Sequence, residues 1–123
     1  MKFESVSPIF SVTNLQQSMD FYRDVLGFDV AWSWGDPPDI AAVCRDCVEI
    51  TLIQRAGASP AGASHACFRV SAVDAYYQEL VEAGARIVVP IGDRPYGMRD
   101  FRMADPSGNE LSIGQIIAGE HQA

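Results

Sequence analysis

Phe10-Ser11-Val12-Thr13-Asn14-Leu15 and, 58 residues further on, Phe68-Arg69-Val70-Ser71-Ala72-Val73 are two copies of one junction, a short strand running into a capped helix. In the first copy Asn14 supplies a side-chain oxygen for the free N–H groups of a helix start, with Gln17 three residues on as in a capping box. In the second, Ser71 holds the cap position and Asp74 follows three residues later. Leu15, Met19, Tyr22 and Leu26 recur at helical spacing, widened by Phe21 and Val25, and Gly27 is a ready left-handed stop, so a helix is predicted from about Leu15 to Leu26. Val73, Tyr76, Tyr77, Leu80 and Val81 repeat that stripe up to Gly84.

Outward from these junctions the strands also come in matching sets. Phe28, Val30, Trp32 and Trp34 hold every second position, the period of a strand with one apolar face, and the segment from Gly35 to Asp39 with its two prolines ends it. Ile40 to Cys44 and Val48 to Gln54 read as a hairpin about Arg45 and Asp46. A linker poor in large side chains covers residues 56–64. The second copy opens with a strand at His65 to Val70 and, after its helix, continues with strands at Arg86 to Ile91, Met98 to Ala104 and Asn109 to Ile116. Asp105-Pro106-Ser107-Gly108 makes the last turn. The reading is a single α+β domain over residues 1–123, made of two tandem βαβββ modules at about 5–55 and 65–117. Four twisted strands with a helix on one face leave the other face open, so the two modules are expected to form a curved mixed sheet around a concave cleft.

Composition narrows the function classes. The 123 residues are 48% apolar, enough for one domain core, and no run approaches the roughly 20 apolar residues of a membrane span. Met1-Lys2-Phe3-Glu4 has no signal-peptide character, so a cytoplasmic location is expected. A formal charge of −7 disfavours nucleic acid and favours cationic small molecules, although acidity also serves solubility alone. Cys44 and Cys47 have the CxxC spacing of redox and zinc sites. They flank a strand turn rather than a helix start, and no second pair exists to complete a zinc site.

Val12-Thr13-Asn14-Leu15, Ser18, Phe21-Tyr22, Leu26-Gly27-Phe28, Tyr96-Gly97-Met98-Arg99-Asp100-Phe101 and Asp105-Pro106-Ser107-Gly108-Asn109 resemble the vicinal-oxygen-chelate superfamily, that of glyoxalases, bleomycin-resistance proteins and extradiol dioxygenases. The similarity runs from about Pro8 to Ile116. In the enzymes of that superfamily four strand positions hold a metal, and by resemblance these fall on Ser7, Glu49, His65 and Ser112. Only Glu49 and His65 are good transition-metal donors, so no metal and no other cofactor is expected. The same two residues are the candidates for acid-base work, and each has a plain alternative as a polar residue of a wet strand.

These departures resemble the bleomycin-resistance branch, whose hairpin is similar to Val43-Cys44-Arg45-Asp46-Cys47-Val48 and whose Pro-aromatic-Gly loop is similar to Arg94-Pro95-Tyr96-Gly97. The resemblance implies a homodimer that sequesters a planar, cationic antibiotic or metabolite in clefts at its interface, lined here by Trp32, Trp34, Glu49, His65, Tyr96 and Arg99. Cys67, where a drug binder would carry a larger side chain, leaves the ligand open. Trp32 and Trp34, in turn, share a strand period with core residues. The rival reading is a lyase, isomerase or dioxygenase with a metal on Glu49, His65 and a further donor such as Asp100.

Overall fold

A computed structural model of the chain describes residues 1–117 and contains two compact units. The first comprises Met1–Ser64 with Pro106–Asn109; the second comprises His65–Asp105 and the chain from Glu110 onward. The turn at Pro106–Asn109, between the last two strands of the chain, belongs to the first unit. There Asn109 accepts from Ser64 N at 3.1 Å and donates to Ser11 O at 2.9 Å. Gly62 (φ +81°) lies so close to the Ser107 carbonyl that no side chain would fit.

In the first unit, β1 (Ile9–Ser11), α1 (Leu15–Asp24), β2 (Asp29–Gly35), β3 (Pro38–Arg45) and β4 (Val48–Ile53) form a sheet of order β1-β4-β3-β2, with β1 parallel to β4 and the other pairs antiparallel. The second unit repeats this with β5 (His65–Arg69), α2 (Val73–Glu82), β6 (Arg86–Asp93), β7 (Met98–Ala104) and β8 (Glu110–Ile116), in the order β5-β8-β7-β6. The chain is thus α+β, two four-stranded mixed sheets each with one helix.

Each helix covers one face of its own sheet. Under α1, Leu15, Met19 and Tyr22 are buried with Ala41, Val43, Ile50 and Leu52, and Tyr22 meets the Phe28 ring edge-on at 5.9 Å. Under α2, Val73 and Leu80 are buried with Met103, Leu111 and Phe101, whose ring stacks edge-on with Tyr77 at 4.9 Å. Residues paired across neighbouring strands share a face, so this burial fixes which side chains stand on the open side.

Two expectations are corrected. Ser71 is not the cap of α2; Ala72 holds that position with no side-chain bond, and Val73 N donates instead to Gln115 Oε1 at 3.0 Å. The cap arrives from β8; at α1 the matching glutamine is the residue just after β4, where Leu15 N donates to Gln54 Oε1 at 2.7 Å alongside the Asn14 cap on Gln17 N. The strict alternation of β2 is also broken. A bulge at Ala31 pairs Val30 with Val43 on the helix face but Trp32 with Ala42 and Trp34 with Ile40, which turns both tryptophans to the open face. A bulge recurs in β6, between Ile87 opposite Met103 and Val89 opposite Arg102.

Candidate functional site

In the second unit the open sheet face forms a cleft of about 750 Å³. Its floor is set by strand alternation: His65, Cys67 and Arg69 from β5, Ser112 and Gly114 from β8, Met98, Asp100 and Arg102 from β7, and Val89 from β6. Gly114 has no side chain, and a Cβ there would meet the Met98 methyl at 2.8 Å, so glycine lets the methionine lie against the sheet. One rim is the β6–β7 loop, where Arg94 is clamped by its Nε on Asp100 Oδ1 at 2.7 Å and by its terminal nitrogen on the Pro90 and Asp100 carbonyls. The other oxygen of Asp100 accepts from the Tyr96 hydroxyl at 3.2 Å. Partial burial, and after it the bond to Asp100, push the Tyr96 phenol above its ordinary pKa. Tyr96 is thereby held as a neutral aromatic wall, with 55% of its surface free.

Sequence reasoning placed Tyr96 and His65 here, and both line the cleft. Arg99 does not. It shares the helix face with Phe101, and its guanidinium is held by Asp74 of α2 at 2.9 Å and Asp93 at 2.9 Å, because β7 alternates and the buried Phe101 fixes its odd positions on that side. Arg69, Arg94 and Arg102 line the cleft instead, against Asp100. The same alternation, counted from the core side chain of Phe101, would have found Arg102. The cationic ligand expected from net charge is therefore not matched by this lining, which holds three guanidiniums and one carboxylate.

The first unit presents its own open face. Ser7 Oγ and Thr51 Oγ1 are 2.8 Å apart, and Glu49 stands on the same face two residues before Thr51, across from Cys44. Trp32 and Trp34 stand on that face too, 46% and 71% exposed. Cys44, Cys47 and Cys67 are free thiols, and the CxxC spacing spans the β3–β4 hairpin.

The two faces explain the metal positions. His65 Nε2 meets Ser112 Oγ at 2.7 Å, and the contact equivalent to it by strand register in the first unit is Ser7 with Thr51. The position assigned to Glu49 therefore belongs, by register, to Thr51. Three hydroxyls and one imidazole do not fit a transition metal, which takes imidazole, thiolate or carboxylate donors, three or more at a catalytic site. Among the described residues no three His, Cys, Asp or Glu side chains converge.

The sequence profile of the Glyoxalase/Bleomycin resistance protein/Dioxygenase superfamily matches residues 6–113, and the chain belongs to that superfamily. No curated protein matches in sequence. Solved structures do. TioX from Micromonospora sp. ML1 superimposes with a TM-score of 0.82 at 19% identity, covering 93% of this chain and 99% of that one. TnmS3, an antibiotic binding protein from Streptomyces sp. CB03234, gives 0.78 at 24%, covering 94% and 99%. The bleomycin-binding protein of Streptomyces verticillus, solved with copper(II)-bleomycin, gives 0.77 at 24%, covering 92% and 96%. At these identities the likeness carries the fold. Among the described residues no helix is long and apolar enough to cross a membrane.

Proposed function

We propose that the chain binds and sequesters a planar small molecule, an antibiotic or metabolite, on its open sheet faces without a metal and without turning it over. The observation that carries this reading is the set of unpacked aromatic rings on those faces: Trp32 and Trp34 in one unit and Tyr96, fixed by Asp100, in the other. Large exposed rings on a sheet face are unfavourable in water unless something covers them, and a flat ligand is what stacked rings recognise. A binding function is also what the similar antibiotic-binding and bleomycin-binding structures are described as having.

A homodimer supplies the second wall of each site. Supporting this, the segment before β1 leaves Phe3 and Val6 89% and 81% exposed, apolar surface that a partner would cover. Sedimentation should give a dimer, and removal of residues 1–6 should shift it toward monomer; an unchanged monomer in both would contradict the dimeric site.

The ligand test is a calorimetric titration with two three-ring probes, 9-aminoacridine and anthracene-9-carboxylate. At least one should bind, and Trp32→Phe with Tyr96→Ala, which alters a ring on each open face, should weaken it about tenfold or more. Unchanged affinity would refute the aromatic-wall reading. In the same instrument Zn(II) and Ni(II) should bind more weakly than about micromolar, roughly 8 kcal/mol. Tighter binding that Glu49→Gln with His65→Ala abolishes would favour a metal-dependent lyase or dioxygenase instead.

A further inference from the structure

We infer that the cleft of the second unit contains an anion subsite, built by Arg69 and Arg102 with His65 and Ser112, which takes an anionic oxygen group carried by the planar ligand. This rests on the reading of that cleft as the ligand site and adds the charge of what it holds.

Cys67, Ser112 and Arg102 form one row across β5, β8 and β7, and Arg69, Gly114 and Asp100 form the next, all on the open face. Rows of one face repeat every second residue, about 7 Å apart along the strands, so Arg102 stands beside Ser112 in one row and Arg69 on the other side of β8 in the next. The imidazole of His65 reaches the same hydroxyl at 2.7 Å. Two guanidiniums, an imidazole and a hydroxyl are the donor set that recognises carboxylate or phosphate oxygens.

The neighbouring carboxylates neutralise the set only in part. Asp100 is taken by Arg94 and by the Tyr96 hydroxyl. Glu110 meets Arg102 only at 3.4 Å, and the Nε–H of Arg102 is buried without an acceptor in the protein. Among the described residues no carboxylate pairs with Arg69, which stands exposed on β5. The exposed Arg69 therefore meets an incoming anion without a competing carboxylate among the described residues.

These charges are not needed to build the sheet. Register places Ser7, Ser11, Ala42 and Thr51 of the first unit at the positions of His65, Arg69, Arg102 and Ser112, and that face closes with no charge at any of the four. Nor do they follow from composition, since the chain carries −7 overall.

The matched probes separate the outcomes. Anthracene-9-carboxylate should bind at least about tenfold tighter than 9-aminoacridine, Arg69→Gln with Arg102→Gln should remove that preference, and Arg102→Lys should keep most of it. Tighter binding of the aminoacridine, or carboxylate binding indifferent to the arginine changes, would overturn the subsite while leaving the aromatic cleft standing. Failure of both probes to bind would overturn the cleft and the subsite together.

Discussion

The two units share a fold down to single hydrogen bonds, yet their open faces differ in chemistry. Both sheets have the same strand order, both carry a bulge in the strand after the helix, and both cap the helix with a glutamine in or just after the last strand. Where the first unit has Ser7, Ser11 and Ala42, the second has His65, Arg69 and Arg102. The helix face of each sheet is constrained by packing, so duplicated copies stay alike there. The open face is released from that constraint, and the two copies have diverged there, one aromatic with Glu49 as a carboxylate, the other rich in guanidinium groups with a single clamped tyrosine.

Exchanging residues between the copies tests this asymmetry most severely. Ala42→Arg, which copies Arg102 into the first unit, places an unpaired guanidinium at a fully buried site and should cost about 3 to 5 kcal/mol in urea denaturation. The reverse change, Arg102→Ala, removes only a long, partly exposed ion pair and should cost less than about 1 kcal/mol. Equal costs would break the comparison.

A smaller effect is expected at the helix starts. Asn14→Ala should cost about 1 kcal/mol, whereas Ala72→Asn should stabilise the protein by up to a similar amount, because α2 lacks the side-chain cap that α1 has. A loss of stability on Ala72→Asn would show that the backbone at Ala72, with φ −143° and ψ 69° where Asn14 has ψ 107°, does not admit the cap.

The least effect is spectroscopic. The difference titration between the native chain and Tyr96→Phe should place the Tyr96 phenol above the ordinary tyrosine range, since both partial burial and the Asp100 carboxylate favour the protonated ring. Asp100→Asn should lower that pKa only in part, because burial is the larger cause; no change at all would mean that Asp100 does not hold the ring.

The repeat, both helices and the hairpin at Arg45 and Asp46 were legible in the sequence because periodicity and turn chemistry are local. The cap of α2 was not, since Gln115 lies 42 residues from Val73 and only the parallel pairing of β5 with β8 brings them together. The bulge at Ala31 was hidden for a related reason. Alternation of Phe28, Val30, Trp32 and Trp34 looks continuous until the register with β3 shows Val30 and Trp32 on opposite faces. Glu49 takes the metal position by resemblance, carried over along the sequence, whereas the strand register sets Thr51 opposite Ser7 as Ser112 stands to His65. Arg99 and Arg102 could have been sorted by counting from Phe101, a core aromatic on the same strand.

The most direct test of where the ligand sits is an amide-resolved NMR titration with whichever three-ring probe binds. Shifts should concentrate at His65–Arg69, Tyr96–Arg102 and Ser112–Gln115 on the open face of the second unit and at Trp32 and Trp34 on that of the first. Shifts confined to the α1 and α2 surfaces, with these strands silent, would contradict the assignment of the open sheet faces as the binding site.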